Sequence, residues 1–503
     1  MNALRTHMPA LSPVEASTVK ASVLCVGERR LEAENYLAEG YLLRQRIEEV
    51  AGGRLEEFAR VWQPGRLKGI QVSASKGTPF LAATQVFDTR PTPRKWLSVP
   101  KTPDIEARYV KPGWTLVTCS GSVGDAIMAY RALDGMIISH DLLRVIALYD
   151  QDRGFIHAYL RTNYARRMMR STQYGNVIKH LEPEHLRPIP VPAVSDDSKA
   201  LLDASIDQSV ALRNEAHNLL LAAEALFSSA VGRMEEVVAE VGFQISASSL
   251  SGGARRLDAY SHSPDAAAVV GALVRTGRPI VMLSDITERI FLPNRFARGV
   301  PLKRGVPLVG TEDLFTVNPE LDKFLPESLA PQQLRVQRGW LLVARSGQIY
   351  GINGRVVLAD RWHEGKVITD DAIRVVPQGV RPGYLLVALG HPVLGRPLVL
   401  REVYGTSIPH IDPEALGRVP ILRLGSLEDA IADKAEQSAF LLSLADEIEN
   451  TAVAVLELIV AGLLGEQAET IIDAAVARLR IAEAEAAPDK VLKRNAALSR
   501  FQS

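Results

Sequence analysis

The chain says nearly the same thing twice, and that repetition restricts its fold more than any bulk property does. Residues 174–192 read YGNVIKHLEPEHLRPIPVP, and residues 404–422 read YGTSIPHIDPEALGRVPIL, 230 positions later. Three more phrases recur in the same order. RRLEAENY at 29–36 returns as RRLDAYSH at 255–262. KPGWTLVTCSGSVG at 111–124 returns as QRGWLLVARSGQIY at 337–350, and SHDLLRV at 139–145 as TDDAIRV at 369–375. The offsets are 226, 226 and 230, so the second copy gains about four residues between Gly347 and Asp371. Ordered matches at a nearly constant offset mark a duplicated structural unit.

The duplication runs on into helices. Leu212, Ala216, Leu219, Ala223, Leu226 and Ala230 step by four and three, the seam of a helix that needs a partner. Adding 229 gives Leu441, Ala445, Ile448, Ala452, Val455 and Ile459 in the same register, and Leu202 and Ile206 map to Ile431 and Ala435. Each seam is the obvious partner for the other; the alternative is that each helix covers only its own globule. Between the seams lie β-rich phrases (WTLVTCS, GMIISH, LLRVIALY; GWLLVARSG, RVVLAD, AIRVVP) punctuated by Pro and Gly, with a helix expected near 154–171 and another near 383–394. The fold class is therefore α/β (α+β): two tandem mixed globules and two long antiparallel coiled-coil helices, arranged as a pseudo-twofold internal repeat. The boundaries read as an N-terminal extension (1–28), a first globule (29–192), a long helix (193–250), a second globule (251–422), a second long helix (423–465) and a helical tail (466–503).

Formal net charge is zero over 503 residues, but the distribution is uneven. Residues 54–190 carry 20 Lys and Arg against 12 Asp and Glu, and 256–420 carry 20 against 16. The intervening 191–255 carry 4 against 9, and 421–503 carry 8 against 14. Basic globules alternate with acidic helices, and binding follows the local field. Catalytic signatures are missing from the sequence. There is no G-x-x-x-x-G-K-[ST] loop, no G-x-G-x-x-G, no N-P-P-[YF] tetrapeptide and no nucleophile elbow. Cys25 and Cys119 fit no metal spacing, and His180 and His410, the one matched histidine pair, read as structural. PDIEAR at 103–108 has no counterpart in the second copy. A long chain with no duplicated acid, base, nucleophile or metal set reads as a binder. It also lacks an apolar run of membrane-spanning length and a signal segment, which points to the cytoplasm.

Basic side chains in Pro- and Gly-stiffened loops are the candidates for nucleic-acid contact. FDTRPTPRKW at 87–96 offers Arg90, Arg94 and Lys95. NRFARGVPLKRG at 294–305 offers Asn294, Arg295, Arg298, Lys303 and Arg304. Arg166, Arg167 and Arg170 stripe one helix, and Arg345 sits in the matched strand phrase. For each of these a plain solvated surface is the competing explanation.

The paired phrases RRLEAENY/RRLDAY, GWTLVTCSGSVG/GWLLVARSGQIYG and VIKHLEPEHLRPIPVP/SIPHIDPEALGRVPIL resemble the DNA-specificity subunit of type I restriction–modification systems, over residues 25–465. The resemblance implies two target-recognition domains held apart by two antiparallel helices, with no catalysis and no cofactor in this chain. Its implied partners are double-stranded DNA, two modification subunits that use S-adenosylmethionine to methylate adenine, and restriction subunits that use ATP and Mg. The tail past 465 and VIKH in place of SIPH depart from the common pattern. They leave open a methylation-only or phage-defence relative. A duplicated coiled-coil adaptor that binds proteins only is the alternative, and an enzyme with an unrecognised site is a third.

Overall fold

The computed structural model describes residues 19, 36, 39–172, 180–234, 242–250, 256–296, 304–465 and 469–486. In the first half four short apolar segments form an antiparallel sheet. They are β1 (Ala59–Trp62), β2 (Thr115–Thr118), β3 (Ala126–Met128) and β4 (Leu142–Ala147), in the order β1-β4-β2-β3. Gly121 and Gly124 take positive φ in the β2–β3 turn, which a residue with a Cβ adopts only under strain. A long helix, α1 (Asp196–Val231), follows; Ser195 caps it, and Asp196 and Asp197 complement its N-terminal dipole. The second half repeats the plan with β5 (Thr287–Phe291), β6 (Leu341–Ala344), β7 (Val356–Leu358) and β8 (Ala372–Pro377), in the order β5-β8-β6-β7. It ends in α2 (Leu427–Leu463).

Each half adds a smaller sheet containing one parallel pair, Thr78–Leu81 beside Ile137–Ile138 and Val306–Val309 beside Val367–Ile368. An antiparallel ribbon ties each half to the start of its long helix. The ribbons are Ala51–Arg54 with Pro190–Pro192, and Ile280–Met282 with Pro420–Leu422. The repeated phrase of 174–192 and 404–422 supplies the last strand of each ribbon. Its histidine also forms an isolated bridge to the end of a central strand, Ser120 with His180 and Ser346 with His410. The matched phrases SHDLLRV and TDDAIRV bury their arginines completely. Arg144 donates to the carbonyls of Ser139, Leu142 and Ile138, and Arg374 to those of Thr369, Ala372 and Ile368. Burial lowers both guanidinium pKa values to about 10. These charges hold loop carbonyls and are not available to a ligand.

The globules dock on their helices through matched glycines. Gly154 donates its N–H to Asp203 Oδ1 at 2.6 Å, and Gly383 donates to Glu436 Oε1 at 3.1 Å. A Cβ at Gly154 would lie 2.5 Å from Asp203 Cα, and one at Gly383 2.6 Å from the Ala432 carbonyl oxygen. Backbone therefore lies on backbone at both joints.

The long helices run antiparallel against each other. Ser438 Oγ donates to the Ala216 carbonyl at 2.7 Å, and Arg213 near the middle of α1 pairs with Asp446 at 2.8 Å. Leu212, Ala216, Ala223, Leu441, Ala445, Ile448, Ala452 and Val455 are buried, whereas Leu219, Leu226, Ala230 and Ile459 are half-buried. Toward the C-terminal end of each helix the buried positions move one residue on, to Phe227, Val231 and Val460. A straight helix drifts about 20° per heptad from a 3.5-residue repeat, which accounts for this slip. Helix Glu469–Glu485 of the tail lies along the pair. Ser205 Oγ donates to Glu483 Oε1 at 2.6 Å, and Arg361 pairs with Glu447 at 2.8 Å and with Glu485.

One expectation is corrected. The globules are not merely held apart by the helices, because residues 87–89 of the first half touch residues 315–317 of the second directly.

Candidate nucleic-acid interface

Exposed basic side chains are found around the small sheets, and also beyond them. In the first half Arg94 and Lys95 flank the start of strand Lys95–Leu97 and are exposed. Arg66, Lys68, Lys76 and Lys101 are exposed around the same sheet, in its edge segments and turns. In the second half Asn294, Arg295 and Arg304 are exposed, the last just before Val306–Val309, and Lys323 is exposed just before Phe324–Leu325. Arg295 is 95% exposed, 3.9 Å from Asp370. A shallow cleft of about 580 Å³ separates Leu292, Pro293, Arg295 and Phe296 from Arg345 and Asp371. Arg345 spans 3.5 Å to Asp371 and is less exposed than its neighbours. Arg298 and Lys303 lie outside the described residues, as do the phrase RRLEAEN and residues 174–179.

Four sequence candidates have carboxylate partners within the chain, two of them, Arg90 and Arg166, turned inward and two, Arg167 and Arg170, still exposed. Arg90 turns inward, donates to Glu224 Oε2 of α1 at 2.6 Å and reaches the Gly390 carbonyl of the second half at 3.3 Å. Arg166 is buried, 3.6 Å from Asp125 and ion-paired with Glu320 of the second half. Arg170 lies between the same two carboxylates at 3.7 and 3.8 Å. Arg167 pairs with Glu39 at 2.9 Å and is half exposed. Of the helical stripe, Arg166 is taken into the joint between the halves, while Arg167 and Arg170 remain exposed beside their carboxylate partners. Basic side chains at a helix surface attract carboxylates of the same chain as readily as phosphates.

Sequence reasoning missed Arg66, Lys68, Lys76, Lys101 and Lys323. They are spread singly through QPGRLKGIQVSASKG, SVPKTP and LDKF, with no run to draw attention. The signal that could have found the first three is the low acidic content of 63–86, which has three basic residues and no acidic one; Lys101 and Lys323 carry no such signal.

At the centre of the molecule is a buried ionic cluster of a different kind. Glu449 of α2 faces Arg161, Arg213 and His157 Nε2, the last at 3.0 Å. Burial alone would raise the Glu449 carboxyl; Arg161, Arg213 and His157 instead hold it well below the usual range. Burial lowers the His157 pKa, so its ring stays neutral and donates Nε2–H to Glu449, with Nδ1 3.2 Å from Thr115 Oγ1. Paired and buried in this way, these charges fix the packing of the first half against α2. Among the described residues no group of three or more His, Cys, Asp or Glu could hold a metal ion. Among them, too, no helix is long and apolar enough to cross a membrane.

Comparison with protein-family models finds no match, and comparison with curated proteins finds none either. Solved structures do match. A type I restriction-modification system S subunit from M. genitalium is 12% identical, over 82% of this chain and 94% of that one, with a TM-score of 0.29. A structure described as showing complex assembly and conformational transition of the type I R-M system is 14% identical over 82% and 96%, with a TM-score of 0.26. The HsdS subunit from Thermoanaerobacter tengcongensis is 14% identical over 87% and 96%, with a TM-score of 0.24. Scores this low describe a partial superposition of long chains and do not establish a common arrangement of their parts.

Proposed function

We propose that this chain is the non-catalytic DNA-recognition subunit of a type I restriction–modification complex or of a related methylation-based defence assembly. The observation that carries the reading is the duplicated plan of the two halves, each mounted on one end of a paired helical shaft and each exposing basic side chains, Arg66, Lys68, Lys76, Arg94, Lys95 and Lys101 in the first and Arg295, Arg304 and Lys323 in the second. In this reading each half is a target-recognition domain, related to the other by a pseudo-twofold. Arg66, Lys68, Lys76, Arg94, Lys95 and Lys101 on one side, and Arg304 and Lys323 on the other, neutralise phosphates. That supplies affinity without sequence information. Base readout falls to side chains such as Arg295, which lines the cleft with Phe296, and its exposed neighbour Asn294, since Asn suits adenine and Arg suits guanine in the major groove. Because the two halves differ in sequence around these side chains, they read different half-sites and the target is split and asymmetric. The acidic helices present two similar surfaces on which two modification subunits dock, bringing S-adenosylmethionine. Restriction subunits, where present, bring ATP and Mg. The assembly works in the cytoplasm.

Two measurements test this. Binding of the purified chain to duplex DNA should weaken with salt, with a log–log slope of about −4 or steeper if four or more phosphates are neutralised. Sequencing of modified adenines in native genomic DNA should give one bipartite motif. Salt-independent binding, or none, favours the protein-only adaptor, for which the acidic helices are the supporting feature.

A further inference from the structure

Residues 87–89 and 315–317 are equivalent in the repeat at offset 228, the offset that also relates β1 to β5 at their first residues. They meet each other across the molecule. Thr89 donates its N–H to the Phe315 carbonyl at 2.8 Å, and Val317 donates to the Phe87 carbonyl at 2.7 Å. Phe87 corresponds to Phe315 and Thr89 to Val317, so each half offers the same groups to the other: an isologous contact inside one chain. Side chains lock it. Arg355 Nη2 donates to Asp88 Oδ1 at 2.6 Å, its other nitrogen pairs with Oδ2, and the guanidinium lies 4.5 Å over the Phe315 ring. Val317 is buried within the core of the first half, among Leu81, Val86 and Tyr130. Equivalent positions 90 and 318 each reach across. Arg90 reaches Glu224 and the Gly390 carbonyl, while Asn318 receives Arg161 Nη2 at 3.0 Å and donates its N–H to Asp446 at 3.2 Å.

We propose that this interlock, rather than the paired helices alone, fixes the distance between the two DNA-reading faces, with Asp88 and Arg355 as positioning residues. The inference rests on the two-faced DNA reading proposed above. Each globule meets the shaft at its matched glycine and at further points, the first through His157 and Arg161 at Glu449 and the second through His391 at Ser228, but none of these contacts joins one globule directly to the other. At a domain radius of roughly 15 Å, a rotation of about 13° moves a reading face by about 3.4 Å, one base-pair rise. A rotation that small is within reach of side-chain adjustment at the shaft, and a direct joint between the globules on the pseudo-twofold limits it further. Asp88 and Arg355 are 12% and 15% exposed, so solvent and salt screen the pair weakly.

The test uses the full chain and duplexes carrying the bipartite motif assigned by modified-base sequencing, with the gap varied by one base pair in each direction. The unaltered chain should prefer one gap by about tenfold. D88N/R355Q should cut that preference to about twofold while still requiring both half-sites. The reversed pair D88R/R355D should recover most of it. Should the double variant melt below the assay temperature, R355K carries the same comparison, because Lys keeps the charge but not the paired bonds. Full gap preference in the uncoupled variant overturns the interlock as the determinant of distance. A motif with no second half-site, or an unaltered chain indifferent to the gap, overturns the two-faced reading beneath it.

Discussion

At the scale of single residues the molecule depends on buried histidines that must stay neutral. His391 Nδ1 accepts the backbone N–H groups of Val393 and Leu394 at 3.2 and 3.1 Å, while its Nε2 lies 2.8 Å from Ser228 Oγ of α1. Burial, with Arg90 nearby, lowers its pKa to about 4. Burial lowers that of His363 to about 3, with Lys366 adding to the effect. An unfolded histidine titrates near 6.5, so below that pH the unfolded chain binds protons that the folded chain refuses. Stability is therefore complete above pH 6.5 and falls as pH drops toward 4, by about 2 kcal/mol per histidine at pH 5. Urea midpoints at pH 7.5, 6 and 5 should fall steadily. The fall should be shallower in H391Q, whose amide oxygen can accept the same N–H groups and does not titrate. Equal slopes in the two proteins would place the acid sensitivity elsewhere.

At the scale of elements the repeat in the sequence was readable because it sits where packing permits little change. The phrases GWTLVTCSG and GWLLVARSG are central strands with their turns, and SHDLLRV and TDDAIRV each carry a fully buried arginine capping its own loop carbonyls. The seam was readable because heptad spacing survives in the helices, except where straight-helix drift moves burial onto Phe227 and Val460. What was not readable is which charges turn inward. Arg90 and Arg94 are four residues apart in one loop, yet the first meets Glu224 and the second is exposed; that choice depends on a carboxylate 134 positions away. The direct contact between 87–89 and 315–317 left only FDT and FTV as a trace, too short to notice. The matched glycines give this scale its prediction. Gly383→Ala forces a methyl group against the Ala432 carbonyl and should cost about 1–3 kcal/mol. Gly271→Ala, in helix Pro264–Arg275 with only the far end of the Arg275 side chain within 4 Å, at 3.3 Å, should stabilise by about 0.5–1 kcal/mol. Thermal melting of the two variants should show opposite shifts, and matching shifts would contradict the close docking of the second globule on α2.

At the scale of the whole molecule, helix length and interlock impose two constraints on one distance, and lengthening the helices separates them. One heptad inserted after Ala216 and another after Ala445 adds about 10.5 Å to the shaft, close to three base pairs of duplex. The seam stays in register, since seven residues restore the same face. The loops at 87–89 and 315–317 do not stretch with it. Val317 is embedded in the first half, and Asp88 is bound to Arg355, so the globules cannot follow the longer shaft while these contacts persist. The extended chain must therefore break the interlock. It should melt earlier than the unaltered chain, and its preferred gap should lengthen by about three base pairs and broaden. Combining the insertion with D88N/R355Q should cost little further stability, because both changes remove the same contact. Gap profiles and melting curves of the four proteins check this directly. An extended chain with an unchanged, narrow gap would mean that the globules hold their spacing through the interlock while the inserted turns are extruded from the shaft.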